Sequence, residues 1–246
     1  MVLTMHRAER RNALSADLIT DMTAALAEAD VQPGIRGVVI AGDGPAFSAG
    51  ADLNETLAVQ SVPDTLRYLA GLRRLTVAIE SLSKPVVAAI HGPCRTGGVE
   101  LALACDRRIA GADATFSVTS SRIGSVAGLG GTQRLPRVVG RAAALDILMT
   151  GRIFDAVRAK ELGLVDELVE EGQHVAAAVA WIEECAAGTP VAVWLAKLAV
   201  TVGSEANLAT ALEYERLLTA LAFTTEDRRD GMAAVLEKRP PRFAGQ

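Results

Sequence analysis

Aromatic residues are scarce in this sequence, and so are the residues that mark disulfide-bonded or metal-binding proteins. Phe, Trp and Tyr make up only 4% of the chain although half of it is hydrophobic, so Ala, Val, Leu and Ile must form the core. The odd set of cysteines, Cys94, Cys105 and Cys185, has no metal-ligand spacing, and the three histidines are scattered. We therefore expect reduced thiols and no metal site, as in a cytoplasmic protein.

Long hydrophobic runs and a strong excess of one charge are also missing. No apolar run reaches the roughly 18 residues of a membrane span, and the N-terminus lacks the apolar region of a signal peptide. The formal net charge of −4 gives no reason to expect nucleic acid or an anionic membrane as a partner. The sequence thus predicts a soluble, cytoplasmic protein, and 246 residues suffice for one sizeable domain or a large domain with a small appendage.

Strands and helices alternate along most of the chain. Valine-rich and alanine-rich runs predict buried strands at 37–41 and 85–90, and helical spacing predicts helices over 17–30, capped by Ser15, and over 65–82. Beyond a boundary near residue 188 only helices are indicated. These helices are expected at 190–202, 205–222 and 225–237. We therefore predict an α/β domain over 1–188 that carries the functional site, followed by a helical region over 189–246.

The stretch HGPCRTGGVELALACD at 91–106 organises the chain. Gly97 and Gly98 follow a buried strand and open an apolar helix, so the backbone can pass close to a ligand. The first amides of a helix have no partner within the helix and lie at its positive end, where they can stabilise a negatively charged oxygen. Glu100 lies in the first turn of this helix, in a position for proton transfer. Alternatively, Glu100 only supports the helix start as an acidic residue near the positive end.

A second loop of small residues, AFSAGADL at 46–53, also follows a buried strand. Two such loops can bring two backbone N–H groups to one point, and two amides aimed at the same oxygen form an oxyanion hole. Together with Glu100, the two amides suit reactions through an enolate. In such reactions charge moves onto a carbonyl oxygen while a carboxylate transfers a proton at the neighbouring carbon.

Four stretches of the chain resemble the signature stretches of the crotonase (enoyl-CoA hydratase/isomerase) superfamily, in the same order and at the family's spacing. They are AFSAGADL at 46–53, IHGPCRTGGVELALACD at 90–106, GGTQRLPRVVG at 130–140 and DGMAAVLEKRPPRF at 230–243. The resemblance implies an α/β fold that spirals through ββα turns and ends in a helical trimerisation part. It also implies a homotrimer or a hexamer built as a dimer of trimers, and an acyl-CoA thioester substrate with no further cofactor.

The resemblance assigns roles to individual residues. It places the oxyanion-hole amides at Ala51 and Gly97 and the first catalytic glutamate of the hydratases at Glu100. The second hydratase glutamate is expected four residues after Phe116, where this chain has Ser120. A serine hydroxyl can orient water but is no comparable acid at neutral pH, so we expect a weaker, altered or slow hydratase. Alternatively, Ser120 only fills space.

Contacts with the coenzyme A part of the substrate are implied for Arg11, Ala49, Asp52, Leu53 and Lys238, the last toward the ligand of a neighbouring subunit. Arg7 and Arg10 are further candidates for its phosphates. Each of these basic residues has the alternative of a solvated surface charge, which we favour for Arg10. For Asp52 we favour a loop-capping role.

The sequence departs from the family pattern at two more positions, and two arginines have a structural interpretation. Thr96 stands where the family generally has a third small residue, and Val235 stands where an aromatic residue normally precedes the triplet EKR. Arg134 and Arg137 are expected to brace the glycine-rich loop before them.

Other functions stay open on the sequence alone. GVVIAGDG at 37–44 and GLGG at 128–131 suggest a dinucleotide-binding oxidoreductase or a phosphate-binding loop, but neither completes G-x-G-x-x-G between a strand and a helix. Glu100 alone would also suit isomerisation, decarboxylation or hydrolysis of an acyl-CoA, and a silent acyl-CoA-binding protein could share the scaffold. We favour an enoyl-CoA hydratase that adds water through an enolate held in an oxyanion hole.

Overall fold

A computed structural model describes residues 1–243 and 245. The chain forms two compact units. The first consists of Met1–Leu82 and Val86–Ala180, and the second of Ser83–Pro85 and the chain from Trp181 onward. The division falls inside the helix His174–Ala186 rather than near residue 188, because this helix carries the chain from one unit into the other.

All strands of the described chain belong to the first unit. They are β1 (Val2–Met5), β2 (Val38–Gly42), β3 (Val86–Ile90), β4 (Pro93–Arg95), β5 (Arg107–Gly111), β6 (Thr115–Ser117), β7 (Phe154–Asp155) and β8 (Glu167–Val169).

The helices of the first unit are interspersed among these strands along the chain. They are α1 (Ala16–Val31), α2 (Leu53–Ala58), α3 (Val62–Ser81), α4 (Gly97–Ala104), α5 (Gly131–Val139), α6 (Arg141–Thr150), α7 (Ala156–Glu161) and the first part of α8 (His174–Ala186). Short 3-10 helices lie at Ala8–Arg10 and Ser120–Ile123.

A five-stranded parallel sheet with the order β1-β2-β3-β5-β8 forms the centre of this unit. Every residue of β3 is buried, as expected for a parallel strand covered on both faces. A smaller sheet has the order β4-β6-β7, in which β6 is parallel to β4 and antiparallel to β7. Because β2 and β3 are parallel neighbours, the loops that follow them leave the same edge of the sheet.

The core of the first unit is aliphatic, as the composition predicts. Apolar side chains of α1 and α3 join those of β2 and β3 in one buried cluster. Phe47 and Phe116 are the largest fully buried side chains in it. Burial of each large apolar side chain contributes about 1.5–3 kcal/mol, so many small contributions replace an aromatic core.

The second unit is helical in its described part. After the end of α8 it contains α9 (Pro190–Gly203), α10 (Leu208–Ala222) and α11 (Glu226–Glu237). The side chains of Thr189, Asn207 and Thr225 cap these three helices by accepting a hydrogen bond from an amide of the first turn. Among the described residues, no single helix combines the length and apolar character needed to cross a membrane.

Candidate active site

Two loops that follow neighbouring strands come together at one edge of the main sheet. Residues 43–52 follow β2, and residues 91–96 follow β3 and include β4. The amide of Ser48 donates to the carbonyl of Pro93 over 3.3 Å, and the amide of Arg95 donates to the carbonyl of Ser48 over 2.9 Å. These backbone hydrogen bonds fix the two loops against each other.

Ala51 and Gly97 lie side by side where the loops meet. A Cβ atom at Gly97 would lie 3.0 Å from the nitrogen of Ala51, and a Cβ atom at Gly50 would lie 2.9 Å from the nitrogen of Gly97. Only glycine allows this close approach at both positions. Within residues 1–243 and 245, neither the Ala51 nor the Gly97 amide has a hydrogen-bond acceptor. The structure therefore brings together two amides that are free to bind one oxygen at the N-terminus of α4.

Glu100 follows in the first turn of α4 and is 1% exposed. Its Oε1 accepts hydrogen bonds from the amide of Leu129 over 2.7 Å and from the amide of Gly131 over 2.8 Å. Burial raises the pKa of Glu100 to about 7, and these two hydrogen bonds and the charge of Arg134 limit the rise. The carboxyl group can thus take up and release a proton near neutral pH.

The glycine-rich loop 124–131 holds the Glu100 side chain and is itself held by Arg134. The Arg134 guanidinium donates to the carbonyl of Leu129 over 2.7 Å and makes a bidentate pair with Glu80 of α3, with N–O distances of 2.5 and 2.6 Å. The prediction that Arg134 braces this loop is confirmed. The hydrogen bond of Arg137 to the carbonyl of Gln133 lies within its own helix.

Comparisons with known proteins agree with this geometry. The family model described as enoyl-CoA hydratase/isomerase matches residues 1–246. The chain belongs to the enoyl-CoA hydratase/isomerase family. It is 37% identical to a putative enoyl-CoA hydratase/isomerase of Bacillus subtilis, with 99% of this chain and 94% of that protein covered. It is 36% identical to the mitochondrial methylglutaconyl-CoA hydratase of Homo sapiens, with 100% of this chain and 74% of that protein covered.

A solved structure of the family has the same fold. The crystal structure of enoyl-CoA hydratase from Bacillus anthracis matches with a TM-score of 0.94 and 35% identity, and the match covers 100% of this chain and 95% of that one. The crotonase-like α/β fold that the resemblance implied is therefore confirmed, and the chain is an enzyme of a family that acts on acyl-CoA thioesters.

Ser120 stands at the position where the resemblance leads us to expect the second hydratase glutamate. It is buried and begins the 3-10 helix Ser120–Ile123, and its carbonyl accepts a hydrogen bond from the amide of Ser125 over 2.9 Å. The preceding residue, Thr119, contacts Thr96, which lies next to Gly97. The segment that carries Ser120 is thereby connected to the loop that carries one of the two amides.

The residues expected near coenzyme A in the first unit surround the same loop. The amide of Ala49 donates to the carbonyl of Arg11 over 2.8 Å, and both residues are exposed. Leu53, the first residue of α2, is 59% exposed. Whether these residues contact a ligand stays a prediction.

Asp52 has the capping role that we favoured for it. Its side chain accepts hydrogen bonds from the amide of Asn54 over 3.0 Å and from the guanidinium of Arg7 over 3.1 Å. Burial raises the pKa of Asp52, but these hydrogen bonds outweigh it and leave the pKa below its ordinary value. Arg7 therefore lies in an ion pair that fixes the start of α2.

Two expected features lie in the second unit. Lys238 ends α11 in a left-handed conformation and is exposed, and its contact with a neighbouring subunit's ligand stays a prediction. Val235, where the resemblance leads us to expect an aromatic residue, is 78% exposed.

Asn12 is a supporting residue whose role the sequence analysis missed. It is fully buried at φ 53°, and its Nδ2 donates to the carbonyls of Asp43 and Ala46, each over 2.8 Å. It therefore anchors the loop that leads to Ala51. Asparagine tolerates the left-handed conformation better than most residues, so an Asn directly before an apolar pair in a turn is the signal that could have revealed this role.

Proposed function

We propose that this enzyme adds water to a 2-enoyl-CoA, with the amides of Ala51 and Gly97 as the oxyanion hole and Glu100 as the only catalytic carboxylate. The observation that carries the proposal is the adjacency of two unpaired amides at the start of the helix that also carries a buried carboxyl group with a pKa near 7.

The two amides act on the thioester carbonyl oxygen. Hydrogen bonds to this oxygen draw electron density from the conjugated double bond and make C3 of the acyl chain electrophilic. They become stronger as the oxygen gains negative charge, and loss of one such donor typically costs about 2.7–4 kcal/mol of barrier. The oxyanion hole therefore stabilises the enolate more than the bound substrate.

Glu100 moves the proton in both halves of the reaction. In its ionised form it takes a proton from water while the water oxygen bonds to C3, and the electron pair of the double bond moves onto the thioester oxygen. The protonated Glu100 then gives that proton to C2 as the enolate returns to a thioester. One water molecule has been added, and a pKa near neutrality makes both protonation states accessible.

Ser120 makes the rate of this reaction lower than that of a two-carboxylate enzyme. Its hydroxyl can hold the attacking water, but it supplies no second acid or base, and one such group typically contributes about 10²–10⁴-fold. No further cofactor takes part, because coenzyme A arrives as part of the substrate. We place its phosphates near Arg11 and, in a trimer or hexamer, near Lys238 of an adjacent subunit.

The test of the proposal is product identification by mass spectrometry after incubation with a panel of enoyl-, 3-oxoacyl- and malonyl-type thioesters. We expect an enoyl-CoA to gain the mass of one water molecule. A shortened acyl chain, free coenzyme A or an isomer of unchanged mass would instead assign decarboxylation, hydrolysis or isomerisation. Tight binding without any product would make the chain a silent acyl-CoA-binding protein.

Replacement of the carboxylate identifies its role. Glu100→Gln keeps an oxygen that can accept the hydrogen bonds of Leu129 and Gly131 but has no proton to exchange. We expect kcat to fall by about 10²–10⁴ while acyl-CoA affinity stays within about threefold. Glu28→Gln, on the exposed side of α1, is the control and should leave both unchanged. An active Glu100→Gln enzyme would remove Glu100 from the mechanism.

A further inference from the structure

Thr96, the residue directly before the Gly97 amide, has a backbone conformation that is unfavourable for its type. Its φ is 35° and its ψ is −97°, in a region that suits glycine and is strained for a β-branched side chain. Strain of this kind persists only where neighbouring interactions hold the residue in place. Glycine at position 96 would avoid the strain, so the threonine side chain must supply an interaction that glycine lacks.

The threonine hydroxyl binds residue 119 and does not cap the helix. Thr96 precedes α4, yet its side chain accepts no hydrogen bond from an amide of that helix. Its Oγ1 instead accepts from the amide of Thr119 over 3.1 Å and lies 3.2 Å from the Thr119 hydroxyl. The amide of Thr96 also donates to the carbonyl of Ser117 over 2.8 Å. The side chain and the backbone of Thr96 are thus both attached to the segment that runs from β6 to Ser120.

These contacts determine the direction of the Gly97 amide. The carbonyl of Thr96 accepts from the amide of Glu100 over 2.9 Å. In a trans peptide the N–H of the next residue points away from that carbonyl, so the Gly97 N–H points out of the helix start. With its amide, side chain and carbonyl all hydrogen-bonded, Thr96 leaves the Thr96–Gly97 peptide little freedom to rotate.

We infer that Thr96 is a positioning residue. Its hydroxyl, which is hydrogen-bonded to Thr119, holds the Gly97 amide in the direction needed to bind the thioester oxygen. The inference rests on the proposed function in one respect, namely that the Gly97 amide is an oxyanion donor. It extends that function by explaining why this chain carries threonine where its family generally has a small residue.

Three variants of Thr96 separate positioning from stability. Thr96→Ser keeps the hydroxyl, Thr96→Val keeps the branched side chain without the hydroxyl, and Thr96→Gly removes both the strain and the hydroxyl. Kinetics of crotonyl-CoA hydration and the melting temperature Tm are measured for each. Thr23→Val is the control, because Thr23 donates its hydroxyl hydrogen bond within α1, to the carbonyl of Ile19.

Activity should depend on whether residue 96 has a hydroxyl group, whereas Tm should depend on the backbone strain at this residue. We expect kcat to fall about 10–100-fold in both Thr96→Val and Thr96→Gly with KM within about threefold, since misdirecting a donor costs somewhat less than removing it. Thr96→Ser should stay within about threefold of the wild type. Relief of strain should place the Tm of Thr96→Gly above that of Thr96→Val by about 2–4 °C or more.

A spectroscopic measurement tests the donor without turnover. A 3-oxoacyl-CoA such as acetoacetyl-CoA binds as its enolate in an oxyanion hole, and the enolate absorbs in the near ultraviolet. We expect the enolate band of the bound ligand to weaken in Thr96→Val and Thr96→Gly and to persist in Thr96→Ser.

The outcomes distinguish the two proposals. If the wild type hydrates no enoyl thioester but its enolate band depends on the hydroxyl, the proposed reaction fails and the role of Thr96 stands. If Thr96→Gly retains wild-type kcat and a wild-type band, or if activity falls only in step with Tm across the series, Thr96 is not a positioning residue. A wild type with neither turnover nor an enolate band would overturn both proposals.

Discussion

Glu100 combines two opposing influences in one side chain. Amide hydrogen bonds from Leu129 and Gly131 favour its ionised form, yet burial outweighs them and raises its pKa to about 7. A carboxylate with its ordinary pKa is a weaker base toward water, so the raised pKa favours the step in which Glu100 takes a proton from water. In the proposed reaction, this single residue supplies both the acid and the base function.

The effect of Ser120 on the rate can be tested directly by placing a carboxylate at this position. We expect Ser120→Glu to raise kcat for crotonyl-CoA hydration by about 10-fold or more, because a second acid or base becomes available. Ser120→Gln is the control of equal length without the ionisable group. Equal rates for the two variants in steady-state kinetics would show that the lost acid does not limit this enzyme.

The residues of the site were predictable to different degrees. Glycine pairs and a carboxylate in the first turn of a helix are local signals, so Gly97 and Glu100 are visible in the sequence. The contact of Ala51 with Gly97 joins distant parts of the chain. The two small-residue loops made such a contact possible, and the family resemblance assigned it to these two residues. The amides that hold Glu100, at Leu129 and Gly131, were missed because nothing local links residue 100 to a loop about thirty residues later.

At the scale of elements, the glycine-rich loop and α5 form the wall against which Glu100 rests. A Cβ atom at Gly131 would lie 2.8 Å from Oε1 of Glu100, which is closer than packed atoms can approach. At Gly128 of the same loop, a Cβ atom would lie 3.1 Å from the end of the Leu69 side chain and 3.7 Å, an ordinary contact distance, from the carbonyl oxygen of Val126. The loop is therefore sensitive to a methyl group at one glycine and tolerant at the other.

This difference gives a paired prediction. We expect Gly131→Ala to displace the Glu100 carboxylate and to lower kcat by about 10-fold or more, since small misplacements of a catalytic group have large effects. Gly128→Ala should change kcat by less than about threefold, because the flexible Leu69 can move. Steady-state kinetics of the two purified variants measure the difference in kcat. Similar values would contradict the close packing of Gly131 against Glu100.

Long periodic elements were predicted well, whereas some of the short ones were not. The strands at 37–41 and 85–90 and the helices over 17–30 and 65–82 correspond to β2, β3, α1 and α3. The two-residue and three-residue strands β7 and β4 and the six-residue α2 were missed, because such short segments have no readable period. The helix α5 begins at Gly131, directly after a left-handed Gly130 and within the glycine-rich stretch that the sequence marks as a loop.

At the scale of the whole molecule, the buried carboxyl group makes folding stability depend on pH. The pKa of Glu100 is raised from 4.5 to about 7 in the folded state, so the native protein binds this proton more tightly than the unfolded chain. The resulting stabilisation is present in full below about pH 4.5 and is lost as the pH rises through about 7. The shift corresponds to about 3 kcal/mol in the free energy of unfolding.

We therefore expect Glu100→Gln to change the pH dependence of unfolding. The variant lacks the ionisation, so its Tm relative to that of the wild type should rise by several degrees between pH 5 and pH 8. Calorimetric scans at the two pH values measure the difference, with Glu28→Gln as the control. A Tm difference that is the same at both pH values would mean that Glu100 ionises normally in the folded protein.

The measurement that tests the central claim most directly is the pH profile of kcat/KM for crotonyl-CoA hydration. This profile reports the ionisations of the free enzyme, so a single carboxylate that must be ionised to accept a proton from water gives one ascending limb. We expect its midpoint near pH 7, a plateau above it, and no such limb in the residual activity of Glu100→Gln. A bell-shaped profile with a second limb between about pH 6 and 9, or a flat profile through pH 7, would contradict the single-carboxylate account.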